Sequence, residues 1–221
     1  MQFDVITLFP EVIESYCSVG IIGRAFNNKL VELNLIDLRE FGIGKYKKVD
    51  DEIYGGGTGM LLKPEPVFSA YESIQKFSNS RTVLLTPSGN PLKQTFIRDE
   101  LLKLDQLIIF CGRYEGFDER IMTLVDYQLS VGNYVLSGGE IGAMILIDSI
   151  SRLVDGVLPK GEESHGKDSF SDPEGIILEA PQYTRPAEFN GMKVPDVLIS
   201  GNHSEIAKWR KENSKQIYEE K

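Results

Sequence analysis

The sequence has few of the residues that usually mark a metal centre or a covalent nucleophile: two cysteines and two histidines among 221 residues. Cys17 and Cys111 stand apart in apolar surroundings, which excludes a disulfide framework or a C-x-x-C metal site and fits reduced core thiols. His165 and His203 are too scattered for a zinc pattern, and Cys111 has no evident histidine to activate it as a nucleophile. No apolar run approaches the ~20 residues of a membrane span. The start MQFDVITLFP lacks the basic flank and long apolar stretch of a signal peptide, so a cytoplasmic protein without a membrane partner is expected. Positive charge is also short: 24 Lys and Arg against 33 Asp and Glu leave a net charge of −9. Taken whole, that balance counts against a nucleic-acid ligand. Phosphate binding depends on local clusters, however, and GKYKK at residues 44–48 is a candidate, although a short lysine cluster is more often a solvated loop.

The apolar content is there for one good core and a small appendage, at 41% of residues. FDVITLF at 3–9 reads as a buried strand, followed by Pro10 at the first turn of a helix with Val12, Ile13, Tyr16 and Cys17 on its apolar face. A second helical stretch lies near 21–28. VELNL at 31–35 alternates like a half-exposed edge strand. Residues 39–63 show little periodicity and read as a long loop. A helix through Val67, Phe68, Tyr71 and Ile74, the strand TVLLT, a helix near 94–104 and the strand LIIFC then follow. This alternation implies an α/β fold, a mostly parallel sheet with helices on both faces. The helix from Glu140 to about Val154 is apolar over AMILI, broad enough to bury against another subunit as well as the sheet.

Residues 161–175, GEESHGKDSFSDPEG, have almost nothing to pack and read as a flexible linker. The expected organisation is a main domain over 1–160, this linker, and a small helical domain over 176–221. The last helix begins near GNHSE, with Asn202 as cap and Glu205 completing a box-like pair.

Two strands, LIIFC and the one inside YQLSVGNYVLS, open into glycine-bearing loops, CGRYEG and SGGE. Glycine at a strand end lets backbone approach a ligand closely, so the pair suggests a small-molecule pocket walled by main chain. LTPSGNPL, Leu85 to Leu92, is either a third wall or an ordinary turn. Neither glycine loop matches G-x-G-x-x-G or G-x-x-x-x-G-K-[ST], which favours a ligand with little phosphate. YGGGTGM, Tyr54 to Met60, could wrap a nucleotide or simply be mobile. By composition Asp168 is a solvated linker residue, His203 a helix-start residue, and Arg152 the partner of Asp148 one helical turn earlier.

Taken together, ITLFPE, VDDEIYGGGTGML, LTPSGNPL, CGRYEGFDER, VGNYVLSGGE, IDSISRLVDGVL, KDSF, YTRP, VPDVLISGNH and AKWR closely resemble, in order and spacing, the bacterial tRNA (guanine-N1)-methyltransferase family, TrmD. The resemblance runs from Ile6 to Arg210. It implies a SPOUT fold with a trefoil knot, S-adenosyl-L-methionine as cofactor, tRNA as partner, and a homodimer with the active site at the subunit interface. The reaction implied is methyl transfer to N1 of the guanosine immediately 3′ to the anticodon. Carried over by motif, the cofactor residues are Leu85, Thr86 and Pro87; Gly112, Tyr114, Glu115 and Gly116; and Val131, Gly132, Asn133, Tyr134, Val135, Leu136, Gly138 and Gly139. Asp168 is implied as general base and Arg152 as the group that stabilises charge on O6. Asp50, Tyr54, Ser169, Asn202 and His203 fall in blocks implied to face tRNA. No metal-ligand set is implied, and a need for Mg2+ is not legible in the residues.

The chain departs from the family pattern in two places: Gln182 before YTRP, where a histidine is frequent, and the weakly basic ending KENSKQIYEEK. The competing readings are a knotted methyltransferase acting on another RNA and a non-catalytic RNA-binding dimer.

Overall fold

The computed structural model describes residues 1–159, 166 and 168–216. The chain divides into two compact units, Met1–Glu162 and Glu163–Lys221. The first is α/β. Five strands, β1 (Gln2–Thr7), β2 (Glu32–Asp37), β5 (Ser80–Pro91), β6 (Gln106–Phe110) and β7 (Tyr127–Ser130), form one sheet in the order β2-β1-β6-β5-β7. Every pair in it is parallel. VELNL is an edge, as its alternation suggests.

The sheet is buried on both faces, and the strand period of two decides which side chain goes where. Phe3, Val5, Val83, Leu107 and Ile109 point into one apolar cluster, while Ile6, Leu84, Ile108 and Phe110 point into another. The first cluster is closed by helices α1 (Pro10–Cys17), α2 (Gly20–Asn27), α4 (Gln94–Asp99) and α5 (Glu140–Ser151). The second is closed by α3 (Pro64–Glu72) with Leu38, Val49, Leu62 and Ile121.

Pro10 opens α1 as expected, and Ile13 and Cys17 are buried. Val12 and Tyr16 are not: each stays about 40% exposed. The Tyr16 hydroxyl turns outward to donate to Asp148 on α5 at 2.5 Å. Half of the expected apolar face is therefore surface. Residues 39–63 are also more ordered than a loop reading allows. They hold an antiparallel hairpin of β3 (Asp50–Glu52) and β4 (Met60–Leu62), with Asp50 opposite Leu62. Three-residue strands joined by a glycine-rich tip carry no period that a sequence window can detect.

At the N-terminal end of the sheet Asp4, fully buried, accepts from three side-chain amides: Gln2 at 2.9 Å, Asn34 at 2.8 Å and Gln106 at 2.7 Å. The carboxylate is thus held by neutral donors from β1, β2 and β6.

The second unit is not purely helical. Two-residue strands pair as β8 (Ile177–Leu178) with β11 (Lys215–Gln216) and β9 (Glu188–Phe189) with β10 (Met192–Lys193). Helices Asp196–Ile199 and His203–Asn213 have no buried residue between them. Asn202 caps the latter through Glu205 N–H at 3.5 Å, but its own N–H donates to Ser200 Oγ at 3.1 Å, so the box is closed by Ser200. Of the 161–175 stretch, 161–165 and 167, with His165, lie outside the described residues. The described part is a hydrogen-bonded turn: Asp172 accepts from the N–H groups of Ile176 and Ile177, and Phe170 N–H donates to Ile177 O.

Candidate functional site

A cavity of about 450 Å³ lies in the first unit, at the carboxyl ends of β6 and β7 and beside the irregular stretch Leu85–Asn90 of β5. The strands supply its walls for a topological reason: in a parallel sheet all carboxyl ends lie on one edge, and the loops leaving them meet there. Leu85, Thr86 and Pro87 form one wall, Gly112, Tyr114, Glu115 and Gly116 the second, and Val131, Gly132, Tyr134, Val135, Leu136, Gly138 and Gly139 the third. Of the residues expected in a cofactor pocket, only Asn133 is not in the lining. The wall Leu85–Asn90 is a break in the β5–β7 ladder, which pairs at Leu85–Leu129 and again at Asn90–Leu129.

The second and third walls are fastened to each other. Gly139 N–H donates to Gly112 O at 2.9 Å. A Cβ at Gly139 would fall 2.7 Å from Cys111 Cα and 2.9 Å from Gly112 N, so only glycine lets the two backbones meet at this distance. Beside them Arg113 Nη2 pairs with Glu140 Oε2 at 2.9 Å, and Arg113 Nη1 donates to Ser137 O at 3.1 Å. Glu140 is 2% exposed and accepts from Thr7 Oγ1 at 2.8 Å. The pair thus ties the end of β1, both glycine loops and the first turn of α5 into one frame, with the carboxylate at the positive end of the helix. Arg113 also lies 4.4 Å over the Phe9 ring. Thr7, Arg113 and Glu140 went unnoticed in sequence. They are distant along the chain, and nothing local marks a glutamate at the first turn of a helix as buried.

Cys111, under this floor, is fully buried and its thiol is pushed well up by desolvation, with Glu140 adding to the effect. It is no nucleophile at neutral pH.

Hairpin β3–β4 joins the second wall from outside. Glu115 N–H donates to Met60 O at 3.0 Å, Leu62 N–H to Gly116 O at 2.9 Å, and Asp118 N–H to Leu62 O at 3.0 Å. The place a side chain would take at Gly59 is filled by Glu115, 2.7 Å away. The glycine tip itself does not line the cavity. Asp50 begins β3, and Tyr54, 98% exposed, sits at the tip. Arg152 caps the C-terminus of α5.

Asp168, Ser169, Asn202 and His203 belong to the second unit. Asp168 lines a cavity of about 1230 Å³ there, with Ser171, Tyr183, Arg185 and Arg210 among its neighbours. Ser169 exchanges hydrogen bonds with Glu179: its N–H donates to Glu179 Oε1 at 3.2 Å, and its Oγ accepts from Glu179 N–H at 3.1 Å. Gln182, which replaces the frequent histidine, donates to the same Glu179 carboxylate. Among the described residues no group of three His, Cys, Asp or Glu side chains is placed to hold a metal ion.

A family model described as tRNA (Guanine-1)-methyltransferase TrmD matches residues 1–221. The chain belongs to that family. A curated relative from Prochlorococcus marinus is 53% identical over 96% of this chain and 84% of its own length. Another, from Trichodesmium erythraeum, is 50% identical over 95% of this chain and 91% of its own. One from Caldanaerobacter subterraneus is 46% identical over 98% and 88%. All three carry the name tRNA (guanine-N(1)-)-methyltransferase. TrmD membership thus covers both units, not the α/β one alone. Among the described residues no helix is long and apolar enough to cross a membrane.

Proposed function

We infer that this chain is a tRNA (guanine-N1)-methyltransferase that modifies the guanosine immediately 3′ to the anticodon, with S-adenosyl-L-methionine as donor. The observation that carries the reading is the family match over the whole chain, joined by relatives of that name at about half identity. The cavity suits the donor. Its volume is within the roughly 300–1,000 Å³ of small-molecule sites. Arg113, the one basic side chain in its lining, is already paired with Glu140, which fits a nucleoside better than a polyphosphate. Bound S-adenosyl-L-methionine supplies an electrophilic methyl group.

The chain's own residues do the rest. The three loops hold the donor against main chain and keep water from it. Guanine N1 bears a proton at neutral pH, and Asp168 removes it as the nitrogen becomes the acceptor. Arg152 stabilises the negative charge that develops on O6. Asp50, Tyr54, Ser169, Asn202 and His203 contact the tRNA, whose target base leaves its stack at modest cost because the anticodon loop is single-stranded.

The working form is a homodimer in the cytoplasm, with Asp168 serving the cavity of the partner subunit. Support for the dimer comes from apolar side chains left on α1, α2 and α5: Val12, Tyr16, Ile21, Ile141 and Ile145 are each between 37% and 48% exposed. The SPOUT trefoil knot and the tRNA-binding role of the second unit belong to the same proposal. Incubation with labelled S-adenosyl-L-methionine tests it, using an unmodified tRNA transcript with consecutive guanosines at the site. Label is expected in that transcript and not in one with adenosine at the target position. Equal labelling of both, or of ribosomal RNA alone, would overturn the assignment.

A further inference from the structure

The turn that carries GKYKK presents its charge in an unusual way. Ile43 and Lys48 close it by two backbone bonds, at 2.8 and 3.0 Å, and Lys47 N–H donates to Gly44 O at 3.1 Å. Val49, 4% exposed in the core, anchors one end, so the turn projects from a fixed base. Tyr46 at its apex is 81% exposed. Lys47 sits at φ +46, a left-handed conformation that glycine would adopt without strain. A lysine kept where glycine is cheaper suggests a use for its side chain.

The surrounding charges do not neutralise the turn. The nearest acids along the chain are Glu40 on one side and Asp50, Asp51 and Glu52 of β3 on the other. Lys63 pairs with Asp51 at 3.4 Å, and Lys48 acts on the same carboxyl. Among the described residues neither Lys45 nor Lys47 forms an ion pair. Two uncommitted cations thus flank an exposed aromatic ring in a protein of net charge −9, a combination suited to single-stranded nucleic acid, in which phosphates meet ammonium groups and bases stack on rings.

We propose that the turn Gly44–Lys48 is a further tRNA contact, with Lys45 and Lys47 on backbone phosphates and Tyr46 stacked on an unpaired base. This rests on the methyltransferase reading and adds a site to it. The discriminating variant is Lys47→Gly, because it removes the cation while relieving the backbone: a merely structural lysine would be replaced with no loss of binding and an unchanged or higher melting temperature.

Binding of the unmodified tRNA transcript is measured between 50 and 200 mM salt, separately from turnover. In the Lys45→Ala, Lys47→Gly double variant the slope of log K against log salt is expected to flatten by about 1.4 to 1.8, two contacts' worth. The KM for tRNA should rise roughly ten-fold, with kcat at saturating tRNA and the KM for S-adenosyl-L-methionine unchanged. Tyr46→Ala should weaken binding by about ten-fold and Tyr46→Phe should restore it, since the ring and not the hydroxyl stacks. A parental salt slope and tRNA KM in the double variant would overturn the contact. Absence of methyl transfer by the parent on the same transcript would instead overturn the reaction, and binding would still report on the turn.

Discussion

The cavity end of the sheet and the segment beyond Gly166 are made of different material. Around the cavity, β6, with Leu107, Ile109 and Phe110 fully buried, leads straight into a loop locked by backbone contacts and by the ion pair of Arg113 with buried Glu140. Beyond Gly166, neither helix buries a residue, and short strands, turns and side-chain caps hold the chain. The first region owes its shape to a core. The second has little apolar surface to bury, and so little to oppose its conformational entropy. In the proposed reaction that division follows the chemistry: a fixed cradle for the donor, and a base on the segment that needs the tRNA and the partner subunit to complete its surroundings.

The largest test of that division removes the base. Asp168→Ala should lower methyl transfer by ~10²- to 10⁴-fold and leave donor affinity within a few-fold, measured by single turnover and equilibrium dialysis. A parental rate would take Asp168 out of the chemistry. Arg152→Ala comes next, with a loss of ~10²- to 10³-fold in kcat if it stabilises charge on O6. An exposed pair with Asp148 would contribute only ~0.3–0.5 kcal/mol to stability, so the melting temperature should hardly move. A large drop in melting temperature with a proportionate drop in rate would return Arg152 to a structural part.

On the cradle side, Gly139→Ala forces apart two backbones that meet below normal Cβ contact. We expect a cost of ~1–3 kcal/mol, visible in chemical denaturation, and at least ten-fold weaker donor binding. Parental binding would show the loops to be pliable and erase the contrast with the second region.

The smallest effect is a pH dependence confined to the first region. Burial, with a contribution from Asp148, raises the Cys17 thiol to about 11. The unfolded chain loses this proton near pH 9 while the folded chain keeps it, so stability falls as pH rises from about 9 to 11. Cys17→Ala should flatten that decline by up to about 2 kcal/mol. Cys111, shifted the same way by burial, continues to contribute in the variant. An alkaline slope equal to the parent's would mean that Cys17 is not sealed.

Much of the first region was legible because its signals are local. Buried strands such as LIIFC, Pro10 at a helix start and glycines at strand ends are each readable within a few residues. The hairpin at Asp50–Leu62 was not, because its pairing spans a tip of seven residues and its strands are three residues each. Nor was the Arg113–Glu140 pair, which joins two loops that meet only once β6 and β7 are placed in one sheet. Two-residue strands in the second unit lie below any periodicity. Residue roles at Asp168 and Arg152 came from resemblance alone: composition favoured a solvated aspartate and a helix ion pair.

Asp4 lies at the opposite edge of the sheet from the cavity, yet it bears on where the loops begin. Parallel neighbours have no hairpin turn to fix their alignment, and a slip of one residue would turn the Asp4 carboxylate or its amide donors to the other face. By accepting from Asn34 on β2 and Gln106 on β6, Asp4 works as a registration mark for three adjacent strands. Val5 then stands opposite Ile109 and Ile6 opposite Phe110, so Thr7 and Cys111 leave the sheet at matching heights. Thr7 can reach Glu140 and the Cys111–Gly112 floor can meet Gly139 only from those heights. The alignment of the cavity walls is set from the far end of the sheet by a residue that never touches them.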